Sequence, residues 1–426
     1  MQACCGLLAL TEYRARVSST TASGALLRPV LALGITQITA WGTSYYCLGV
    51  LAGPISADTG WDRSLVFLGF TVALLVMGTI SAWAGRAIDR HGARAVMCAG
   101  TLIVSAGLLA LSRVGDAASY LVVWAVLGVG MRLCLYDAAF AALVQVIPAR
   151  GRQAISYLTL FGAFASSVFW VIGHELESVV GWRDTLAWFA LINLLVCLPL
   201  NWYGLSRRDV SPAAEGAPAA ASTLSPDGPP LAGRMRRIGM VLFAVTMSLN
   251  GFVFGVVSVQ LVPLLEAAGL TTATAVWVAS TKGFAQFAGR VIEIVFARNV
   301  RALSVARISL GVLPVSLVLL LLAAGDFAAL LVFTLLMGGS QGVITIVRGA
   351  VPLALFGSQG YGTVLGLIAT PILIVNAAAP TLFALLIGWI GWAGAEIALL
   401  TCATSAWLLM EVMSRWFERT RREAAG

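Results

Sequence analysis

The sequence predicts an all-α integral membrane protein, with twelve transmembrane helices in two pseudo-symmetric six-helix bundles. Three observations carry the prediction. The 426 residues are 59% apolar and only 11% charged, with a mean hydropathy of +0.92. A soluble domain carries about 25% charged residues, so most of this surface must face something other than water. Apolar segments recur at the length that a hydrocarbon core of about 30 Å demands, roughly 20 residues per helix. A polar, proline-rich stretch divides those segments six and six. Helices are expected because a bilayer leaves no water to pair backbone amides.

Taken in order, the spans fall at about 28–53, 63–84, 94–113, 118–146, 152–175, 183–205, 236–265, 272–297, 302–323, 327–352, 360–388 and 393–415. Residues 1–27 read as a cytoplasmic N-terminal tail. Their apolar run Cys4–Leu10 precedes its basic residues, the wrong order for a cleaved leader. Residues 28–205 form the first bundle and 236–416 the second. Between them, 206–235 is a flexible cytoplasmic linker, marked by Ser211-Pro212 and Ser225-Pro226-Asp227-Gly228-Pro229-Pro230. Residues 417–426 are a second cytoplasmic tail. The halves echo each other: Trp41 to Pro54 aligns with Asn250 to Pro263, and Gly128 to Asp137 with Gly339 to Arg348.

Orientation follows from arginine. With the N-terminus inside, the cytoplasmic segments hold twenty arginines and the external loops three, Arg63, Arg113 and Arg183. This positive-inside bias places both termini in the cytoplasm of a multi-pass plasma (inner) membrane protein. It also explains the net charge of +8 without nucleic acid. Seven cysteines with no C-x-x-C read as small packing residues, implying neither disulfide nor zinc. Two histidines, no metal-ligand spacing and no nucleotide loop argue against an enzyme, a bound cofactor or ATP-driven transport.

Between spans two and three lies Gly85-Arg86-Ala87-Ile88-Asp89-Arg90-His91-Gly92-Ala93-Arg94. Gly85 lets a helix end approach a neighbour closely. Asp89, Arg90 and Arg94 can pair with each other and with the ends of adjacent helix dipoles, and Gly92 permits a tight reversal. A degraded second copy, Gly289-Arg290-Val291-Ile292-Glu293, lies at the cytoplasmic end of span eight. The pattern G-x-x-x-D-R-x-G-x-R resembles the signature loop of the major facilitator superfamily of secondary transporters. That resemblance covers residues 28–416. It implies two halves that rock in alternating access, with Asp89 and nearby basic residues holding them together on the cytoplasmic side in the outward-open state. It also gives Arg290 and Glu293 to conformational control. Thr59-Gly60-Trp61-Asp62-Arg63-Ser64 and Gly181-Trp182-Arg183 resemble segments of the monocarboxylate and oxalate/formate porter branch, which agrees with an anionic substrate.

A charge near the bilayer centre costs about 2.5–3.5 kcal/mol on insertion scales, so each is a functional candidate. Four qualify: Arg132 and Asp137 in span four, Lys282 in span eight and Arg348 in span ten. Lys282 is the only lysine of the chain, a compact titratable ammonium among arginines. On a continuous helix five residues are a rotation of about 140°, so Arg132 and Asp137 are expected to face different neighbours. Asp137 is expected to pair with Arg348 or Lys282 across the halves, and Arg132 with another helix. Two positive charges remain in excess, which suits an anion. Protonation of Asp137 offers the route for proton coupling. Further cavity candidates are Gln37, Trp41, Ser44 and Tyr45 on one face of span one, Asn250 with Phe254 on span seven, Gln286 on span eight and Gln341 on span ten. Tyr157 on span five, Thr345 on span ten and Asn376 on span eleven are weaker ones.

The function these observations imply is a proton-coupled secondary carrier of a small organic anion such as a carboxylate. Its partners are that substrate, protons and the lipid bilayer, and it acts as a monomer. One alternative is an efflux carrier for a toxic or hydrophobic compound. Span five, however, reads Phe161-Gly162-Ala163-Phe164-Ala165-Ser166-Ser167, without the G-P-x-x-G-G element common among the superfamily's drug antiporters. A non-transporting membrane sensor is the alternative of another class, and the short linker and tails leave it no signalling domain.

Overall fold

The computed structural model describes residues 26–206, 230–297 and 299–425, helical almost throughout and without a β-strand among them. The expected N-terminal tail and most of the linker, with Arg298 and Gly426, lie outside the described residues. Helix α1 covers residues 26–40 and continues through a π-turn, Trp41–Tyr45. There follow α2 (Leu48–Thr59), α3 (Arg63–Thr79), α4 (Ser81–His91), α5 (Ala93–Leu111), α6 (Ala117–Cys134), α7 (Tyr136–Val146), α8 (Gly151–Ala163), α9 (Ala165–Ile192) and α10 (Leu198–Gly204). After the undescribed stretch come α11 (Gly233–Ala267), α12 (Thr272–Phe296), α13 (Ala302–Leu322), α14 (Phe327–Phe356) and α15 (Tyr361–Ala425).

Seven described helical stretches are long and apolar enough to cross a membrane, and α3 with α4, bent by 55°, adds an eighth. Two of these stretches hold a turn within them. Inside α9 the backbone leaves helical geometry at Gly181 (φ 76°), and Phe169 and Phe189 on either side meet at 5.8 Å between ring centroids, so the chain folds back there. Inside α15 the same happens at Gly391. Both breaks fall where the sequence predicts loops. Large apolar side chains such as Phe284, Phe296, Leu322 and Trp389 stay exposed, as a lipid-facing surface requires.

Packing separates the described helices into a group before and a group after the undescribed stretch. In the first, α5 and α3 flank α6, and α9 lies on α5 and α2. In the second, α11 runs along α15, and α12 and α13 pack on α14. Across the groups, α3, α4 and α7 meet α15, while α8 meets α12 and α14.

Of the helices that depart from the continuous form expected of them, two bear on the site. Span four breaks: Leu135 takes an extended conformation (φ −82°, ψ −167°), ending α6 and capping α7. Span one holds the π-turn, whose extra residue shifts the helical register. Ser44 therefore turns into the packing, its Oγ donating to the Ala40 carbonyl at 2.5 Å, and Tyr46 joins Tyr45 in half-buried positions.

Candidate functional site

The break at Leu135 builds the charged centre. It ends one helix dipole beside Arg132 and begins another beside Asp137, placing the cation at carbonyl ends and the carboxylate at amide ends. The two side chains then meet, Arg132 Nη1 lying 3.1 Å from Asp137 Oδ2. The expectation that they face different neighbours is thus corrected: a helical rotation holds only along an unbroken helix. Arg348 of α14 reaches the same oxygen at 2.7 Å, the cross-group pair the sequence predicts. Arg132 also donates from Nε to Ser81 Oγ at 2.6 Å. Exposure grades across the cluster, from 2% at Arg132 and 8% at Asp137 to 29% at Arg348. One carboxylate thus serves two guanidiniums, with its open edge at Arg348.

Lys282 stands apart. Its Nζ lies 3.5 Å from the Val257 carbonyl and 5.8 Å from the Phe254 ring centroid, and it makes no ion pair among the described residues. The alternative pairing of Asp137 with Lys282 is not formed. Gln286, one turn on, is half-buried. Asn250 and Gln341 bond to each other across α11 and α14, Gln341 Nε2 donating to Asn250 Oδ1 at 3.3 Å.

Aromatic rings line the first group's side of the centre. Trp41 lies 4.7 Å from Tyr45 and 4.9 Å from Tyr136 between ring centroids, Tyr45 is 4.8 Å from Phe70, and Tyr136 stacks on Phe140 at 5.3 Å. Gln37 is fully buried behind them and accepts from the Trp41 indole.

Between the groups the polar bonds gather on the side that carries the Gly85–Arg94 turn. Asp89 accepts from Gly362 N at 3.0 Å, Thr363 N at 2.7 Å and Thr363 Oγ1 at 2.6 Å, engaging the N-terminal amides of α15. It pairs with neither Arg90 nor Arg94. Arg94 instead stacks its guanidinium 3.8 Å over the Trp202 ring, and Gly92 (φ 83°) makes the reversal. Arg290 donates to the Thr159 carbonyl of α8 at 2.9 Å. Arg152 spans the other way, donating to the carbonyls of Val300 at 2.6 Å and Ala297 at 3.2 Å and lying 3.5 Å from Glu293. On the opposite side, Arg183 and Trp182 both bond Asp58 within the first group, at 3.4 Å and 3.1 Å.

Sequence reasoning did not single out Arg152, Ser81, Tyr136, Thr363 or Tyr361, whose hydroxyl donates to the Gly349 carbonyl at 2.7 Å. Arg152 resembles any positive-inside arginine, and only Tyr136, adjacent to Asp137, carried a local signal. The others are defined by partners far along the chain.

Helices grouped in two sets that meet around a buried charged centre, several of them long and apolar enough to cross a membrane, define the class as a helical membrane protein. The family model of the Major Facilitator Superfamily matches residues 33–315, and the chain belongs to that family. A curated relative, the multidrug resistance protein MdtL of Citrobacter koseri, is 27% identical over 158 residues; the match covers 37% of this chain and 40% of that protein's length. Among solved structures, the human organic anion transporter MFSD10 matches with a TM-score of 0.71 at 15% identity, over 90% of this chain and 99% of that one. The proton:xylose symporter XylE matches with a TM-score of 0.72 at 12% identity, over 91% and 95%. FucP, in its outward conformation, gives 0.66 at 13%, over 91% and 99%. The chain is therefore a secondary transporter of small molecules and not an enzyme.

Proposed function

We propose that this transporter carries a small organic anion, such as a carboxylate, in a proton-coupled cycle, as a monomer of the plasma (inner) membrane with both termini cytoplasmic. The supporting observation is the imbalance of charge at the centre. Arg132 and Arg348 share Asp137, and Lys282 has no carboxylate of its own among the described residues. Arg348 and Lys282 are the half-buried cations of the set, whereas Arg132 is sealed in. A carboxylate bound there completes the balance that the membrane interior demands. In this reading Asp137 carries the proton: once protonated it releases Arg348, and the bond between the groups weakens. Asn250, Gln286, Gln341, Trp41 and Tyr45 shape the cavity around the charged pair, Gln37 acting from behind.

The arginine bias puts the closed side in the cytoplasm, so the structure corresponds to an outward-facing state. Asp89, Gly85, Gly92, Arg90 and Arg94 then belong to one cytoplasmic gate and Gly289, Arg290 and Glu293 to the other. Efflux of a hydrophobic compound is the second reading, favoured by the aromatic wall and by the name of the curated relative. The excess of positive charge disfavours cationic drugs.

The test is uptake into proteoliposomes from a panel of carboxylates, inorganic oxyanions and cationic dyes, with and without a pH gradient. Carboxylate accumulation driven by the gradient is expected. In Asp137→Asn, exchange should survive while proton-driven accumulation vanishes; unchanged accumulation refutes the coupling role. A preference for cations that persists without Lys282 and Arg348 overturns the anion reading.

A further inference from the structure

Gln37 occupies an unusual place between the aromatic wall and the charged centre. It is 0% exposed, yet both ends of its amide are used. Its Nε2 donates to the Cys134 carbonyl at 2.9 Å, and its Oε1 accepts from Trp41 Nε1 at 3.1 Å. A carbonyl can only accept and an indole N–H can only donate, so one orientation of the amide satisfies both.

The Cys134 carbonyl needs such a donor because of the break. In an unbroken helix it would accept from the amide of Ala138. With Leu135 extended, α7 instead begins with Ala139 N bonding Leu135 O at 3.0 Å, and the carbonyl is left over at a buried helix end. Gln37, from another helix, takes the vacated role. The same break brings Arg132 to Asp137, so the charge pair depends on a geometry that Gln37 completes.

We propose that Gln37 is a positioning residue that couples Trp41 to the charge state of Asp137. Movement of the Trp41 ring pulls on the carbonyl at the break, and a change in the Arg132–Asp137 pair is returned along the same bonds. This rests on the reading of Asp137 as the proton carrier. Asp137 is faced by Arg132 from α6, Arg348 from α14 and, at longer range, Tyr361 from α15. Trp41 is faced by Tyr45, Tyr46 and Tyr136, with Arg290 acting on Tyr46 and Tyr136 and Arg348 on Tyr45. Tyrosine and arginine ordinarily titrate far above neutrality, so a response between acid and neutral pH isolates the carboxylate.

The experiment needs no substrate. The full-length protein in lipid nanodiscs is labelled with 5-fluorotryptophan, and the Trp41 fluorine resonance is assigned by Trp41→Phe. The resonance is followed from acid to neutral pH in the wild type, in Asp137→Asn and in Gln37→Met, which keeps length and volume while removing both hydrogen bonds. Thermal unfolding checks that each variant is folded, and Gln37→Leu, which likewise lacks a donor and adds no titratable group, serves as a second probe if Gln37→Met is not. Movement in the wild type, lost in Asp137→Asn and in the Gln37 variant that removes the donor to Cys134, is the expected result. Movement lost in Asp137→Asn but kept without that donor overturns the proposal while the proton reading stands. Absence of movement in the wild type, or movement indifferent to Asp137→Asn, overturns both.

Discussion

The two copies of the Gly85 motif close on different partners. In the first, Gly85 sits against the other helix group, where an added Cβ would collide with the Gly362 carbonyl oxygen. Asp89 is exposed and holds the amides that open α15. In the second, Gly289 packs inside its own group, where a Cβ would meet the Gly339 carbonyl oxygen, and Glu293 is buried to 3% exposure with only Arg152 reaching it from across. The first glycine thus serves the joint between the groups and the second serves the integrity of one group. Release also differs. Water can replace the partners of Asp89, whereas separating Arg152 from Glu293 strands a buried carboxylate whose Oε2 already lacks a partner.

The sharpest way to break this comparison is to give each glycine a methyl group. Overpacking a tight contact destabilises by about 1–3 kcal/mol, and backbone-to-backbone collisions belong at the upper end. Gly289→Ala should lower the thermal unfolding temperature without favouring either conformation. Gly85→Ala should penalise only the closed joint, raising maleimide labelling of a cysteine at Thr363 while unfolding moves little. Equal losses of unfolding temperature, with no gain in labelling, would show the glycines to be equivalent.

Arg152→Met should come next, at roughly 3 kcal/mol against the closed joint, the low end for removing one partner of a buried pair. The same labelling assay reads it, and a double variant with Glu293→Gln should recover most of the loss. No recovery would mean that Arg152 acts through its carbonyl bonds to Ala297 and Val300 alone. Asp89→Asn should be milder, about 1 kcal/mol, because an exposed charge at a helix N-terminus is screened and one of the two accepting oxygens is kept. A larger loss than that of Arg152→Met would reverse the ranking of the two joints.

The smallest effect is expected away from both joints, at Asp116, which caps α6 through Ser119 N at 2.9 Å and Ser119 Oγ at 2.7 Å. Those donors, the side-chain hydroxyl foremost, hold its carboxyl below the ordinary range. Its contribution is therefore present at neutral pH and lost as pH falls through the lowered value. Asp116→Ala should reduce thermal stability slightly at neutral pH, less in acid, and leave Thr363 labelling unchanged. Altered labelling would show that this end takes part in gating.

Much of the fold was legible because hydropathy and turn chemistry are local. The reversals at Gly92 and Gly181 fall where charge and glycine announce loops, that at Gly391 falls in the glycine-marked gap between spans eleven and twelve, and Asp137 with Arg348 was traceable through the alignment of spans four and ten. The Arg132–Asp137 pair was not legible, since periodicity assumes the continuous helix that Leu135 interrupts. The span-one stripe failed similarly at Ser44, where the π-turn inserts a residue. Asn250 and Gln341 were identifiable as polar groups in apolar spans, while their bond to each other was not.

Length, apolarity, the arginine-marked loops and the motif spacing were determined by the sequence alone, because each is a property of a segment and its solvent. Tertiary structure decided which charges share an oxygen, which copy of the motif joins the groups and what Gln37 is for. Those outcomes hang on orphaned carbonyls, exposed amides and close backbone approaches between residues distant in the chain, and such groups find their partners only when the helices pack.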